Sequence, residues 1–215
     1  MVCFDTQRFR GMRVYVIGGG PSLIGLDLET DLHFNMVVGC NDAYKLSCTK
    51  LCCFGDNTWG RTHQDRLIEW ISEGNEVWTN NNSWQFSKDV NWLRKCPHLS
   101  THDDCAAWFG NTGFLGLQLA LLGNPDEVVL LGYDMCLIDG RSNWHDDNRG
   151  QPRPCDYDTM LKHNDEIIKE VEEKYRHVRV LNANPLSRLE GFDVVDPESV
   201  GIHVPTHHIY SRSGQ

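Results

Sequence analysis

The sequence predicts an α/β fold: a Rossmann-like, mostly parallel sheet with helices on both faces, in a single domain with a lid loop. Three observations predict it. Short runs of apolar and β-branched residues alternate with stretches of helical period along the 215 residues. The apolar runs stop on Gly, Asn or Asp. One run, Glu127–Leu131 (EVVLL), is apolar after its first residue, as a strand buried on both faces of a parallel sheet must be.

Taken in order, residues 12–17 read as a first strand that stops abruptly at GGGPSL (18–23). Residues 22–31 follow as a short helix. NMVVG (35–39) is a second strand, ending at Cys40-Asn41-Asp42, and KLCCF (50–54) is a third, ending at Gly55-Asp56. Residues 62–72 have helical spacing, with Leu67, Ile68 and Ile71 on one face. Glu76–Thr79 is a fourth strand. Residues 84–109 read as a loop-rich insertion carrying Trp84, Trp92 and Trp108, which offer an acceptor site or a subunit contact in a homo-oligomer. Thr112–Leu122 is a buried helix, opened by GNTG and closed by Gly123-Asn124-Pro125. After the strand Glu127–Leu131, residues 138–156 form a long loop rich in Gly, Asp, Asn, Arg and Pro, of the length used for functional lids. Residues 158–175 are an amphipathic helix with Ile167, Ile168 and Val171 inward, and 178–181 the last strand. The domain runs over 1–196, and 197–215 reads as a C-terminal tail.

Composition narrows the function classes. The net charge is −10, which disfavours a general nucleic-acid binder, because phosphate affinity needs clustered Lys and Arg. No apolar run approaches the ~18 residues of a membrane span, and the N-terminus shows no secretory signal. The nine cysteines are odd in number and lack C-x-x-C spacing, so they read as reduced, largely buried thiols of a cytoplasmic protein.

Polar residues follow the strands. Gly18, Gly19, Gly20, Pro21 and Ser22 follow the first, Asn41 and Asp42 the second, Asp56 the third. Asn111, Thr112 and Gly113 head the buried helix, Asp134 follows its strand, and Asn182 and Asn184 follow the last. In a parallel sheet these all stand at one rim, where such folds bind ligands. GGGPSL is neither the G-x-G-x-x-G dinucleotide fingerprint nor a G-K-[ST] P-loop. It allows close backbone approach ahead of a helix N-terminus, and GNTG is a second such place.

These motifs, GGGPSL, CNDAY (40–44), FGDN (54–57), NTG (111–113), LGYD (131–134) and NANPLS (182–187), occur in an order that resembles the family 42 bacterial sialyltransferases. They are also similar to the related 6-hydroxymethylpterin pyrophosphokinase-like group. The resemblance covers roughly residues 12–190. It implies a Rossmann-like glycosyltransferase that binds a nucleotide sugar. Gly18 to Ser22 would pack against the nucleotide phosphate, and Asn41 and Asp56 would contact ribose, base or sugar. Thr112 and Gly113 would hold ribose or phosphate, and the loop after Asp134 would fold over the donor. The family places its general base, a histidine, just before the penultimate helix. The nearby histidines here are His145, in the lid, and His163, inside the following helix. Where the family's lid carries tyrosines, this one reads GRSNWHDDNRGQPRP.

The lid has its own chemistry. In Trp144-His145-Asp146-Asp147 a carboxylate could orient His145 as base while Trp144 stacks on a base or sugar. Arg141, Arg149 and Arg153 suit a diphosphate. The leading reading requires no cofactor, although Asp146 and Asp147 could hold Mg²⁺ or Mn²⁺. That reading is a glycosyltransferase moving a sugar from a nucleotide-sugar donor to a hydroxyl acceptor: a glycan, a small molecule or, less favoured, a modified nucleic acid. Two alternatives remain: metal-dependent diphosphate transfer from a nucleoside triphosphate, and a non-catalytic nucleotide-binding module.

Overall fold

The computed structural model describes residues 3–81, 88–107, 109–145 and 157–205. The elements in chain order are β1 (Arg13–Ile17), α1 (Leu28–Asp31), β2 (Met36–Cys40), β3 (Leu51–Phe54), α2 (Asn57–Ser72), β4 (Glu76–Thr79), β5 (Asn91–Trp92), β6 (Arg94–Cys96), β7 (Cys105–Ala107), α3 (Thr112–Leu122), β8 (Glu127–Leu131), α4 (Tyr157–Leu161), α5 (Asn164–Lys174), β9 (Arg179–Asn182) and β10 (Asp193–Val194). Eight strands form one sheet in the order β10-β9-β8-β1-β2-β3-β4-β5, and β6 pairs with β7 apart from it. Every pairing between these strands is parallel. The expected α/β fold is therefore the observed one.

Strand alternation decides which helix covers which face. Val14 and Val16 of β1 point to the face packed by α3 and by Ile167 and Val171 of α5. Tyr15 and Ile17 point to the other, against Leu23, Leu28, Leu32, Val200 and Ile202. Beside them Trp59 and Leu67 of α2 cover Cys52, Phe54 and Val77. Helix α3 is buried along its whole length except at Thr112, as its unbroken apolar sequence requires. Each leucine buried there stabilises the fold by about 1.5–3 kcal/mol relative to exposure.

Several local expectations are corrected. The helix expected over 22–31 is a 3-10 turn, Pro21–Leu23, and the single turn α1, separated by Gly25 at φ +83°. Helix α2 begins at Asn57 rather than 62, because the Asp56 carboxylate accepts from the Trp59 amide at 2.7 Å and caps it. Its buried stripe runs Trp59, His63, Leu67, at steps of four, which turns Ile68 outward to 38% exposure. The helix expected over 158–175 is two, α4 and α5. His163 (φ −100°, ψ 7°) is therefore the N-cap of α5 and not an interior residue. Past Asp196, where the composition suggests a tail, Val200 and Ile202 are buried, and the Tyr15 hydroxyl donates to the Val200 carbonyl at 2.6 Å. Two apolar residues are too few to show a period.

The eight cysteines among the described residues are thiols, with Cys40, Cys48, Cys52, Cys53 and Cys105 buried. Among the described residues no helix is long and apolar enough to cross a membrane.

Candidate active site

The order in which strands are added to the sheet reverses between β1 and β8. From β1 the chain crosses toward β2, and from β8 toward β9, so the connections diverge and leave a crevice at the strands' C-terminal ends. A cleft of about 280 Å³ lies there. Its floor is Gly18, Gly19 and Gly20 after β1 and Gly132, Tyr133 and Asp134 after β8. Asn41 and Asp56 form one wall beside Asn111, Thr112 and Gly113 at the start of α3. Ser142, Asn143, Tyr157 and Met160 close the other side.

The three glycines have two different reasons. A Cβ at Gly18 would stand 2.7 Å from the Gly132 carbonyl oxygen, and one at Gly20 would stand 2.4 Å from Asp134 Cγ. At both positions the chain after β8 excludes a side chain, and the Gly20 amide donates to the Gly132 carbonyl at 2.8 Å. At Gly19 the nearest atom is Asn143 Oδ1 at 3.4 Å, an ordinary contact. Of the three, Gly19 alone has room for a side chain.

Asp134 locks this floor. It is buried, and its carboxylate accepts from the Ser22 amide (2.7 Å), the Ser22 hydroxyl (2.5 Å) and the Asn184 side-chain amide (2.6 Å). Burial pushes its pKa up, and the donors from Ser22 and Asn184 only partly offset that. Ser22 and Asn184, expected at the nucleotide, thus lie behind the floor and brace it, and Pro21, also expected there, is buried and does not line the cleft.

The wall is polar. Asn41 sits at φ +51°, and its side-chain oxygen is buried without a hydrogen bond from the described residues. Asn111 caps α3 by accepting from the Gly113 amide at 2.8 Å, and Thr112 Oγ1 accepts from the Gly55 amide at 3.3 Å. The positive end of an 11-residue helix therefore meets the cleft. Tyr133, not singled out in the sequence, is buried beneath and donates from its hydroxyl to the Gly113 carbonyl at 2.6 Å. Burial pushes that phenol far up, so it stays protonated.

The remaining expected site residues lie off the cleft. Asp42 is buried beside it. Trp59 Nε1 donates to it at 2.9 Å, Lys45 pairs with it, His63 Nε2 stands at 3.4 Å and His145 Nε2 at 3.7 Å. Burial pushes the Asp42 pKa up, but Lys45, Trp59 and His145 together hold it below the usual carboxylate value. Trp144 does not stand free to stack. Its amide donates to the Gly19 carbonyl (3.1 Å) and its indole to the Gly18 carbonyl (3.2 Å). His163 Nδ1 faces Glu166 Oε2 at 3.2 Å, and its ring lies 5.6 Å from that of Phe109. The other oxygen of Glu166 meets His98 Nδ1 at 3.1 Å. Asp146, Asp147, Arg149 and Arg153 lie outside the described residues.

Met160 escapes the sequence reading because that reading merges it into one longer helix over 158–175, and Tyr157 because it falls between the expected lid and that helix. Met135 and Cys136, which also line the cleft, carried no signal beyond following LGYD.

No protein-family model matches the chain. No curated protein matches it in sequence. Solved structures do match it in fold. One is the sialyltransferase CstII from Campylobacter jejuni in complex with a substrate analogue, cytidine-5'-monophosphate, at 14% identity over 87% of this chain and 86% of that one, with a TM-score of 0.54. Another is CST-II with a trisaccharide acceptor and CMP, at 16% identity over 86% of each chain and TM-score 0.54. A third is the monofunctional α-2,3-sialyltransferase Cst-I from Campylobacter jejuni, at 11% identity over 85% of this chain and 79% of that one, again at 0.54. This chain shares their fold. Nothing in these comparisons supports the second resemblance, to the pyrophosphokinase-like group.

Proposed function

We propose that the protein is a glycosyltransferase that moves a sugar from a CMP-sugar donor to the hydroxyl of a glycan acceptor. The observation that carries this reading is the cleft at the β1/β8 switch point, in a fold shared with sialyltransferase structures, two of which, both of CstII, hold CMP. The donor phosphate would be held by the Gly19 loop and the first turn of α3, because no Lys or Arg among the described residues lines the cleft. Asn41, with its uncommitted carbonyl oxygen, and Asp56 would meet ribose, base or sugar.

The base in this reading is His163. It does not itself line the cleft, but it directly precedes α5 and stands three residues beyond Met160, which does. Glu166 at its Nδ1 favours the tautomer that leaves Nε2 to take the acceptor's proton. The acceptor oxygen then forms the new glycosidic bond while the bond from sugar to phosphate breaks, and the nucleotide leaves with the electron pair. His145, turned to Asp42, is less suited to the task.

The test is thermal unfolding against CMP, UDP, GDP and ATP, each with EDTA or Mg²⁺, followed by transfer assays with the CMP-sugars. CMP at a hundred times its dissociation constant should add about 2.7 kcal/mol of stability without metal. His163→Ala should then lower kcat by about 10²–10⁴ with folding intact. Stabilisation by ATP and Mg²⁺ alone would overturn the reading, as would full activity in the His163 variant for the base.

A further inference from the structure

We propose that His98, Glu166 and Glu170 form a binding site for a divalent transition-metal ion of the zinc class, which clasps the segment after β6 to α5. The two glutamates stand on one face of α5, a turn apart, and His98 comes to them from the segment between β6 and β7. His98 Nδ1 lies 3.1 Å from Glu166 Oε1 and 2.8 Å from Glu170 Oε1, and the three atoms all fall within 4.8 Å of one another.

Each ligand atom is aimed by a further contact. Glu166 gives its other oxygen to His163 Nδ1 at 3.2 Å. Glu170, which is buried, gives its other oxygen to the Leu99 amide at 2.5 Å and to Lys174 Nζ at 3.5 Å. Both Oε1 atoms are thereby left facing His98. The backbone that carries His98 is fixed as well. The Leu99 carbonyl accepts from Lys174 Nζ at 2.7 Å, and Ser100 exchanges hydrogen bonds with the Gln118 side chain of α3 at 2.7 and 3.0 Å.

One ring nitrogen carries at most one proton, so it cannot donate well to two carboxylates at once. A divalent cation in place of that proton would meet both. Ligand atoms around a tetrahedral zinc, with bonds of about 2.0–2.2 Å, stand roughly 3.3–3.5 Å apart. The two His98 contacts therefore need to open by less than about 1 Å to admit the ion. An imidazole nitrogen with two carboxylate oxygens suits zinc, cobalt or nickel better than magnesium or calcium, which take oxygen ligands. The side chains of His98 and Glu166 are 59% and 41% exposed, so the ion can enter and water can complete its coordination. None of this depends on the function proposed above.

The experiment titrates the metal-free full chain with Zn²⁺, read by calorimetry and by thermal unfolding, with Co²⁺ as the spectroscopic probe. The wild-type chain should take up zinc at a saturable site and unfold at a higher temperature. His98→Ala should weaken that binding by at least the ~10–100-fold that even an outer partner of a metal site is worth, and should unfold like the wild type when metal is absent. Glu170→Gln should weaken it too. The glutamine keeps an acceptor for the Leu99 amide, so binding lost there is not folding lost. Asp146, Asp147 and the other histidines are intact in both variants, so metal held at those residues would stay bound. Absence of saturable zinc binding in the wild type, or binding unchanged in His98→Ala, overturns the proposal. A thiolate-to-cobalt absorption band on the Co²⁺ form also overturns it, by placing the ion on cysteine, and displacement of Zn²⁺ by equimolar Mg²⁺ overturns the choice of metal class.

Discussion

Two aspartates stand at the same rim of the sheet, Asp42 after β2 and Asp134 after β8, and burial acts on them with opposite net results. Asp42 is surrounded by Lys45, His63, His145 and the Trp59 indole, and its pKa is held down. Among the described residues Asp134 meets only neutral donors, Ser22 and Asn184, and its pKa is pushed up. At Asp134 the hydrogen bonds from neutral donors do not offset the desolvation of the carboxylate, whereas at Asp42 hydrogen bonds and nearby positive charge together do. The roles differ accordingly. Asp134 is a clamp that fixes the glycine floor in one geometry. Asp42 is a hub where partners from its own turn, from α2 and from His145 meet one buried carboxylate.

The largest expected effect tests the clamp. Asp134→Ala removes the acceptor from three buried or partly buried donors and should cost about 3 kcal/mol of stability in urea unfolding. A loss below half of that would mean the floor is held by backbone pairing alone. Gly20→Ala comes next. Its Cβ would overlap Asp134 and the Gly132 carbonyl, for a cost of about 2 kcal/mol. Gly19→Ala, one residue away, should stay within about 0.5 kcal/mol of wild type in stability and instead weaken CMP binding. Equal destabilisation by the two alanines would erase the distinction between the braced and the open side of the loop.

The smallest effect is in pH dependence, and it has opposite signs. The contribution of Asp42, whose folded pKa is lowered, is present above the unfolded value of about 3.9 and is lost as pH falls through the folded one. That of Asp134, whose folded pKa is raised, is present below about 3.9 and is lost as pH rises through its folded value. Between pH 3 and 7 the stability difference between wild type and Asp42→Asn should grow with rising pH, and that between wild type and Asp134→Asn should shrink. Parallel slopes in the two unfolding series would show that the two environments do not differ as described.

Nothing local distinguishes these aspartates in the sequence. Both end an apolar strand in a short polar turn, and the sequence offers both as nucleotide contacts. The rim itself was legible, because in a parallel sheet every strand end points the same way, so Gly19, Asn41, Asp56 and Thr112 could be brought together from their places after strands or before helices. The central strands and α3 were legible for a related reason: their apolar runs leave no alternative to full burial. Helix boundaries were less so. Nothing in Lys162-His163-Asn164 breaks a helix, and the break falls where the Asn164 side chain donates to the Glu190 carbonyl at 3.1 Å, a partner 26 residues away.

The sequence by itself determined the class of fold, the strands that form the interior and the rim at which chemistry gathers, since these follow from the period of apolar residues and from turn residues at strand ends. Tertiary structure alone decided that β8 lies beside β1, that Gly18 and Gly20 are pressed against the chain after β8 while Gly19 has room for a side chain, and that Asp42 meets His145, a hundred residues away. The reason is physical. Period and turn chemistry act over a few residues, whereas strand order, close backbone approach and the compensation of a buried charge depend on which distant segments the packed core brings into contact.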